Sequence, residues 1–286
     1  MRSLEIVSPG ALALVQDLGR PGYAHLGVPP SGALDVAALH LGNRLTGNPP
    51  DAAGIETLLG GLTIRARSSC TVAVTGPPVP VSIDGQATGS HTPLPLRPGQ
   101  RLAIGRPNTG LRCYLAVSGG IAVPPVLGSR SHDVLSGLGP APLRAGDTVP
   151  LGPAHGVPSG ADVLVAPAVS SHLTIPVTLG PRDDWFDNAA GALDVWWTVT
   201  EDANRVGVRL SGPPLRRVST VSSSELPSEG VLTGAIQVPP NGFPLVFLAD
   251  HPTTGGYPVI AVVRRGSLGA LGQASPGTLV RFRTSF

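Results

Sequence analysis

Within ten residues, Gln16-Asp17-Leu18-Gly19-Arg20-Pro21-Gly22-Tyr23-Ala24-His25 brings an acid, a guanidinium and an imidazole into one glycine-rich loop. Asp17 and Arg20 can shape a planar carboxylate or phosphate site, because arginine presents a bidentate fork of donors. The plainer alternative is that Asp17 caps a turn and pairs with Arg20 at the surface. The loop leads to Val28-Pro29-Pro30-Ser31-Gly32, where Ser31 is expected to cap a helix. Backbone N–H groups at such a helix start favour an anion.

Two further segments carry chemistry-bearing side chains. In Glu201–Leu210, Arg205 and Arg209 stand an even number apart, so on one extended strand they share a face that suits an anionic substrate. A solvated face is the alternative. Ser228-Glu229-Gly230 holds a carboxylate that can move a proton or orient a substrate. Downstream lie Gln237 and the run Asp250-His251-Pro252-Thr253-Thr254-Gly255-Gly256-Tyr257. Thr253 and Thr254 offer hydroxyls, and Gly255 and Gly256 permit close backbone approach. An Asp250–His251 dyad is disfavoured, because consecutive strand residues face opposite ways.

Composition narrows the chemistry. All 20 basic residues are arginine, which removes Schiff-base lysines, a P-loop lysine and any lysine for attaching biotin. A net charge of +2 and the lack of a basic stripe argue against nucleic acid. Cys70 and Cys113 are too few for a disulfide framework or a zinc site, and read as small buried apolar side chains. The scattered histidines include no metal-binding pair, so no metal is expected. Met1–Leu14 lacks the apolar run of a signal peptide, and no stretch of about 18 apolar residues spans a membrane, so the expected compartment is the cytoplasm.

The elements that must position these residues are mostly strands. Thirty-eight glycines and 32 prolines are spread evenly between short Val-, Leu-, Ile- and Ala-rich runs, the punctuation of many short strands joined by tight turns. Strands are expected at Ala11–Gln16, Thr63–Ala66, Thr71–Thr75, Val79–Ile83, Arg101–Ile104, Arg112–Val117, Val163–Ala166 and Thr174–Leu179. Six more follow at Trp196–Thr200, Val208–Leu210, Ala235–Val238, Leu245–Leu248, Val259–Val263 and Leu279–Phe282. One helix is expected over Gly32–Leu45, with a further turn at Asp51–Ala53 capped by Asn48. The echo of VPPSG (28–32) in VPPNG (238–242), and of PLRPGQRLAIG (95–105) in PLRAGDTVPLG (142–152) with SPGTLVRF (275–282), points to internal duplication.

Longer motifs carry a resemblance. VQDLGRPGYAHLGVPPSGALD (15–35), NRLTGNPPDAAGIETLLGG (43–61), LGPRDDWF (179–186), NRVGVRLSG (204–212) and SEGVLTGAIQVPPNGFPLVFLADHPTTGGYPVIA (228–261) resemble the allophanate hydrolase subunit 2 family. It is also described as KipI-antagonist (KipA-like) or biotin-dependent carboxyltransferase. The resemblance implies a mainly β protein of two cyclophilin-like β-barrel halves, at 1–155 and 172–286, joined by a linker at 156–171. It implies a role as the C component of an ATP-dependent 5-oxoprolinase, a heteromeric hydrolase. The implied partners are a KipI-like B component, in direct complex, and a separate A component. The chain is then expected to be inactive alone, with the ATP-binding component left open. Asp17, His25 and Glu229 are the catalytic candidates. Arg20, Ser31, Arg205, Arg209, Gln237, Thr253, Thr254, Gly255, Gly256 and Tyr257 are the substrate-binding candidates. Two alternatives remain: a carboxyltransferase component of a urea or amide carboxylase with biotin on another chain, and a non-catalytic antagonist of a KipI-like kinase inhibitor.

Overall fold

The computed structural model describes residues 2–154, 156–158, 168–221 and 224–284. The strand expected at Val163–Ala166 lies outside them, as does most of the expected linker. The described residues are mainly β with three short α-helices among them, consistent with cyclophilin-like barrels. The chain divides into two compact units. The first comprises Met1–Arg20, Ser31–Asp133 and Gly137–Val169, and the second Pro21–Pro30, Val134–Ser136 and Ser170–Phe286.

The first unit is built on two antiparallel sheets. One runs Thr148–Pro150, Ser3–Pro9, Leu62–Ala66, Arg101–Ile104, Val81–Ile83, Gln86–Thr88; the other runs Leu12–Gln16, Gly54–Leu58, Arg112–Val117, Cys70–Thr75, Leu94–Leu96. Period-2 alternation sends Leu4, Ile6, Leu62, Ile64, Leu102 and Ile104 from the first sheet into one core with Val15, Ile55, Val72, Val74, Cys113, Leu115 and Val117 from the second. The strand Arg112–Val117 is buried at every position. One of its faces meets that core, and the other meets the helix Val36–Leu45, where Tyr114 packs with Ala33, Ala38 and Leu39.

That helix begins four residues later than the sequence suggests. Asp35 caps it, its carboxylate accepting from the Ala38 N–H at 3.0 Å. Ser31 instead takes a left-handed φ of 53° and donates its hydroxyl to the His132 carbonyl at 3.2 Å. The segment expected as an extra turn of helix is a single turn, with Ala52 N–H bonded to the Pro49 carbonyl. Asn48 does not cap it. Its amide reaches the Val117 carbonyl at 2.8 Å and its oxygen takes the Gly119 N–H at 2.7 Å, tying the helix end to the buried strand.

The second unit is a closed seven-strand barrel in the order His172–Leu179, Val259–Val263, Ala235–Gln237, Leu245–Phe247, Gly207–Ser211, Trp197–Val199, Leu279–Thr284. Neighbours are antiparallel except where Leu279–Thr284 runs parallel to His172–Leu179 and closes the ring. Closure leaves no free sheet edge. A separate two-stranded ribbon pairs Glu229–Gly230 with Thr254–Gly255. The three echoed turn-plus-strand phrases all end on observed strands: Arg101–Ile104, Thr148–Pro150 and Leu279–Thr284.

Candidate functional site

In the first unit, Asp17, Arg20 and Ser31 gather on one stretch of backbone, residues 126–132. Asp17 sits at the end of the strand Leu12–Gln16 and is buried. Its Oδ1 accepts the Ser129 and Ser131 hydroxyls at 2.6 Å each and the Gly19 N–H at 2.8 Å, and its Oδ2 accepts the Arg130 N–H at 2.6 Å. Four donors occupy this carboxylate, so its bonds are spent on shaping the loop.

Arg20 is 1% exposed and does not pair with Asp17. It donates from Nε to the Val126 carbonyl at 3.4 Å and from Nη2 to the Ser131 carbonyl, while Nη1 has no partner among the described residues. In place of a surface Asp17–Arg20 pair, two buried side chains grip the same segment separately. Gln16 completes the grip, its amide donating to the His132 carbonyl at 2.8 Å.

A second buried network is absent from the candidates that the sequence offers. Glu56, on Gly54–Leu58, accepts the Tyr114 hydroxyl at 2.7 Å and the Leu34 N–H at 3.1 Å, with the Arg112 guanidinium 3.6 Å away. The Tyr114 oxygen in turn accepts the Asp35 N–H at 2.8 Å. Burial, reinforced by the Glu56 charge, pushes the Tyr114 phenol well above its usual range. The one signal for it is a glutamate inside an apolar run, Gly54-Ile55-Glu56-Thr57-Leu58, which can be buried only when paired.

In the second unit, Glu229, Gln237, Thr254, Gly255 and Tyr257 come together. Glu229 pairs across the ribbon with Gly255 and forms a two-contact ion pair with Arg182, whose Nε stands 3.3 Å from Oε2 and whose Nη2 bonds Oε1. The carboxylate holds the Arg182 guanidinium above its ordinary pKa. Arg182 belongs to the LGPRDDWF motif but is not among the site residues expected from sequence. Gln237 is buried and donates to the Tyr257 carbonyl at 2.9 Å. A Cβ on Gly255 would stand 2.6 Å from Gln237 Nε2, so only glycine lets the ribbon approach this amide. Gly256 follows, the Tyr257 ring is exposed, and the Thr253 carbonyl accepts the Val231 N–H at 3.0 Å.

The other candidates stand apart. Arg205 precedes the strand Gly207–Ser211, so it does not share a face with Arg209. It is buried against Asp250 in a bidentate pair at 2.8 and 3.0 Å, which commits it to holding the barrel together. Arg209 is exposed and donates to the Asp202 carbonyl at 2.7 Å. Asp250 also accepts the Val134 N–H at 3.1 Å, while the His251 ring meets the Pro252 carbonyl and the Thr233 hydroxyl. His25 lies exposed on the short turn Ala24–Leu26 of the second unit.

Among the described residues no group of three His, Cys, Asp or Glu side chains could hold a metal ion, and no helix is long and apolar enough to cross a membrane.

Comparison with known proteins places these constellations in a lineage. The chain is 38% identical to the C component of 5-oxoprolinase from Escherichia coli (strain K12), over 98% of its own length and 90% of that protein's. It is 32% identical to the corresponding 5-oxoprolinase component of Haemophilus influenzae over the same shares. Among solved structures, the K. lactis urea amidolyase superposes with a TM-score of 0.91 at 30% identity, covering 98% of this chain and 18% of that one. The crystal structure of TTHA0988 superposes with a TM-score of 0.88 at 34% identity, and this chain spans about half of it, 56%. A family model described as carboxyltransferase domain, subdomain A and B, matches residues 26–284, and the chain belongs to that family.

Proposed function

We propose that the chain is the C component of an ATP-dependent 5-oxoprolinase, working with a KipI-like B component and a separate A component. The observation that carries this reading is the 38% identity to the E. coli protein, which extends across nearly all of both chains. In the proposed reaction, water adds across the lactam C–N bond of 5-oxoproline to give glutamate, while ATP is hydrolysed to ADP and phosphate. An unactivated lactam resists hydrolysis at neutral pH. Transfer of a phosphoryl group creates anionic charge that preset cationic donors can stabilise.

Each unit supplies residues of the right kind. In the first, the uncommitted Nη1 of buried Arg20 provides a fixed positive donor for such an anion, while Asp17 and Ser31 hold the segment that frames it. In the second, Glu229, oriented by Arg182, is the group placed to move a proton, beside the donors and backbone of Gln237 and Thr253–Tyr257. His25 is exposed and without a partner among the described residues, so solvent reaches its ring for proton exchange. The use of ATP puts the working compartment in the cytoplasm.

The test is reconstitution. The purified chain mixed with its B and A partners is expected to release ADP in strict dependence on 5-oxoproline, and the chain alone to release none. No 5-oxoproline-dependent ADP from the full mixture overturns the reading. The fit to the K. lactis urea amidolyase supports a second reading, transfer of a carboxyl group from biotin. With no lysine in these 286 residues, that biotin must be attached outside them. Carboxylation of urea or an amide upon addition of a carboxybiotin carrier protein would favour it.

A further inference from the structure

A groove of about 420 Å³ lies in the second unit, lined by Pro214, Leu215, Arg216, Arg217 and the segment Val238-Pro239-Pro240-Asn241-Gly242. None of these residues belongs to the constellations described above. The groove exists because two segments pack backbone to backbone. Leu215 N–H bonds the Gly242 carbonyl at 2.9 Å, and the turn is closed by Gly242 N–H on the Pro239 carbonyl at 2.9 Å. Gly242 holds a φ of 79°, and a Cβ there would stand 2.8 Å from the Leu215 carbonyl oxygen, so this approach requires glycine.

The lining is asymmetric in charge and in hydrogen-bonding sense. It contains two arginines and no acid. Arg217 is preset: its guanidinium lies 5.4 Å from the Trp185 ring centre and donates to the Ser224 carbonyl at 3.2 Å. Arg216 is exposed and has no partner among the described residues. The Asn241 Oδ1 is occupied by the Phe243 N–H at 3.0 Å, which leaves its amide hydrogens free to donate. The groove's polar side chains therefore offer donors, and its prolines, Leu215 and Val238 offer apolar surface. Its volume falls in the range of small-molecule sites, roughly 300–1,000 Å³.

We infer that this groove binds a lactam acid, with the carboxylate on Arg216 and Arg217, the ring carbonyl on Asn241, and the ring methylenes against Pro239 and Pro240. A lactam acid carries a carboxylate and a carbonyl, both acceptors, and no ammonium. An α-amino acid such as glutamate carries an ammonium that would meet two guanidinium groups and no carboxylate. The groove thus separates the substrate of the proposed reaction from its product. The choice of 5-oxoproline as ligand rests on the proposed function, whereas the preference for an anion without an amine rests on the groove alone.

Ligand-observed NMR titration of the full chain, with 5-oxoproline, L-glutamate and ATP as separate probes, tests this. 5-Oxoproline is expected to bind at least about tenfold more tightly than glutamate, and Arg216→Glu to weaken it by roughly tenfold or more, as loss of a charged hydrogen-bond partner does. Arg216 is exposed, so an unchanged thermal melt should certify the fold of that variant. Asn241→Asp keeps the oxygen that receives the Phe243 N–H and adds an acid to the groove. It is expected to narrow or invert the preference over glutamate. Failure of the wild-type chain to bind 5-oxoproline, equal binding of glutamate, tighter binding of ATP, or indifference to Arg216→Glu each overturns the inference. Turnover by the reconstituted complex is read independently, so an active complex with an empty groove fails this inference alone, and an inactive complex fails the proposed function.

Discussion

Asp17 and Arg20 stand three residues apart with opposite charges, yet each answers to the 126–132 backbone and not to the other. A carboxylate with four donors at 2.6–2.8 Å is a structural anchor first. Asp17→Asn replaces an acceptor with an amide whose hydrogens face those donors. It should cost about 2–4 kcal/mol in urea-induced unfolding, since hydrogen bonds to a charged group contribute about 1.5–3 kcal/mol each and are not additive. The two cysteines are inert by the same logic of surroundings. Burial pushes the Cys70 thiol up to about 11 and the Cys113 thiol up to about 12, from an ordinary 9.0. A folded pKa raised above the unfolded value means stability present below pH 9 and lost as pH climbs towards the folded values. Tyr114, raised well above 10.0, acts in the same direction. Thermal melts should therefore fall steeply above about pH 9, and a Cys113→Ala variant should show a shallower fall. Below that range neither thiol should react with a disulfide reagent until denaturant is added.

Asn48 ties the far end of the helix Val36–Leu45 to the second sheet through bonds to Val117 and Gly119. Asn48→Ala should lower unfolding free energy by about 1–3 kcal/mol, the cost of stranding buried backbone groups, and hydrogen exchange should rise in that helix before the strands. Much at this scale is legible in the sequence. Strands rich in β-branched residues, such as Val259–Val263 and Cys70–Thr75, carry their own signal. Gly54–Leu58 does not, because its central Glu56 and Thr57 look polar until Tyr114, Arg112 and Cys113 arrive from another strand. Leu94–Leu96 is hidden by Pro95, which is tolerated because that strand lies at the sheet edge. The helix start is ambiguous because Ser31 and Asp35 are both competent caps, and only the tertiary pull of the His132 carbonyl on Ser31 decides between them. For the candidate sites, residue types are legible and partners are not. Glu229 stands out, but its orienting Arg182 lies 47 residues earlier in the chain. Arg205 reads as a ligand residue because nothing local announces Asp250.

At the scale of the whole molecule, the identity with the two bacterial 5-oxoprolinase components extends over 98% of the chain and so takes in both compact units. Within the second unit, the ring closes where Leu279–Thr284 lies beside His172–Leu179, roughly a hundred residues upstream. A variant lacking 279–284 would lose buried Val280 and Phe282 and expose two strand edges, so it should be recovered in the insoluble fraction. The same pairing sets a clock. At a synthesis rate of about 5–20 residues per second, a strand like His172–Leu179 waits on the order of 5–20 s for its partner to be made. A hairpin forms in about 1–10 μs. Until the last strand is made the ring cannot close, so the ribosome's pace sets how long the apolar interior of this unit stays open to water.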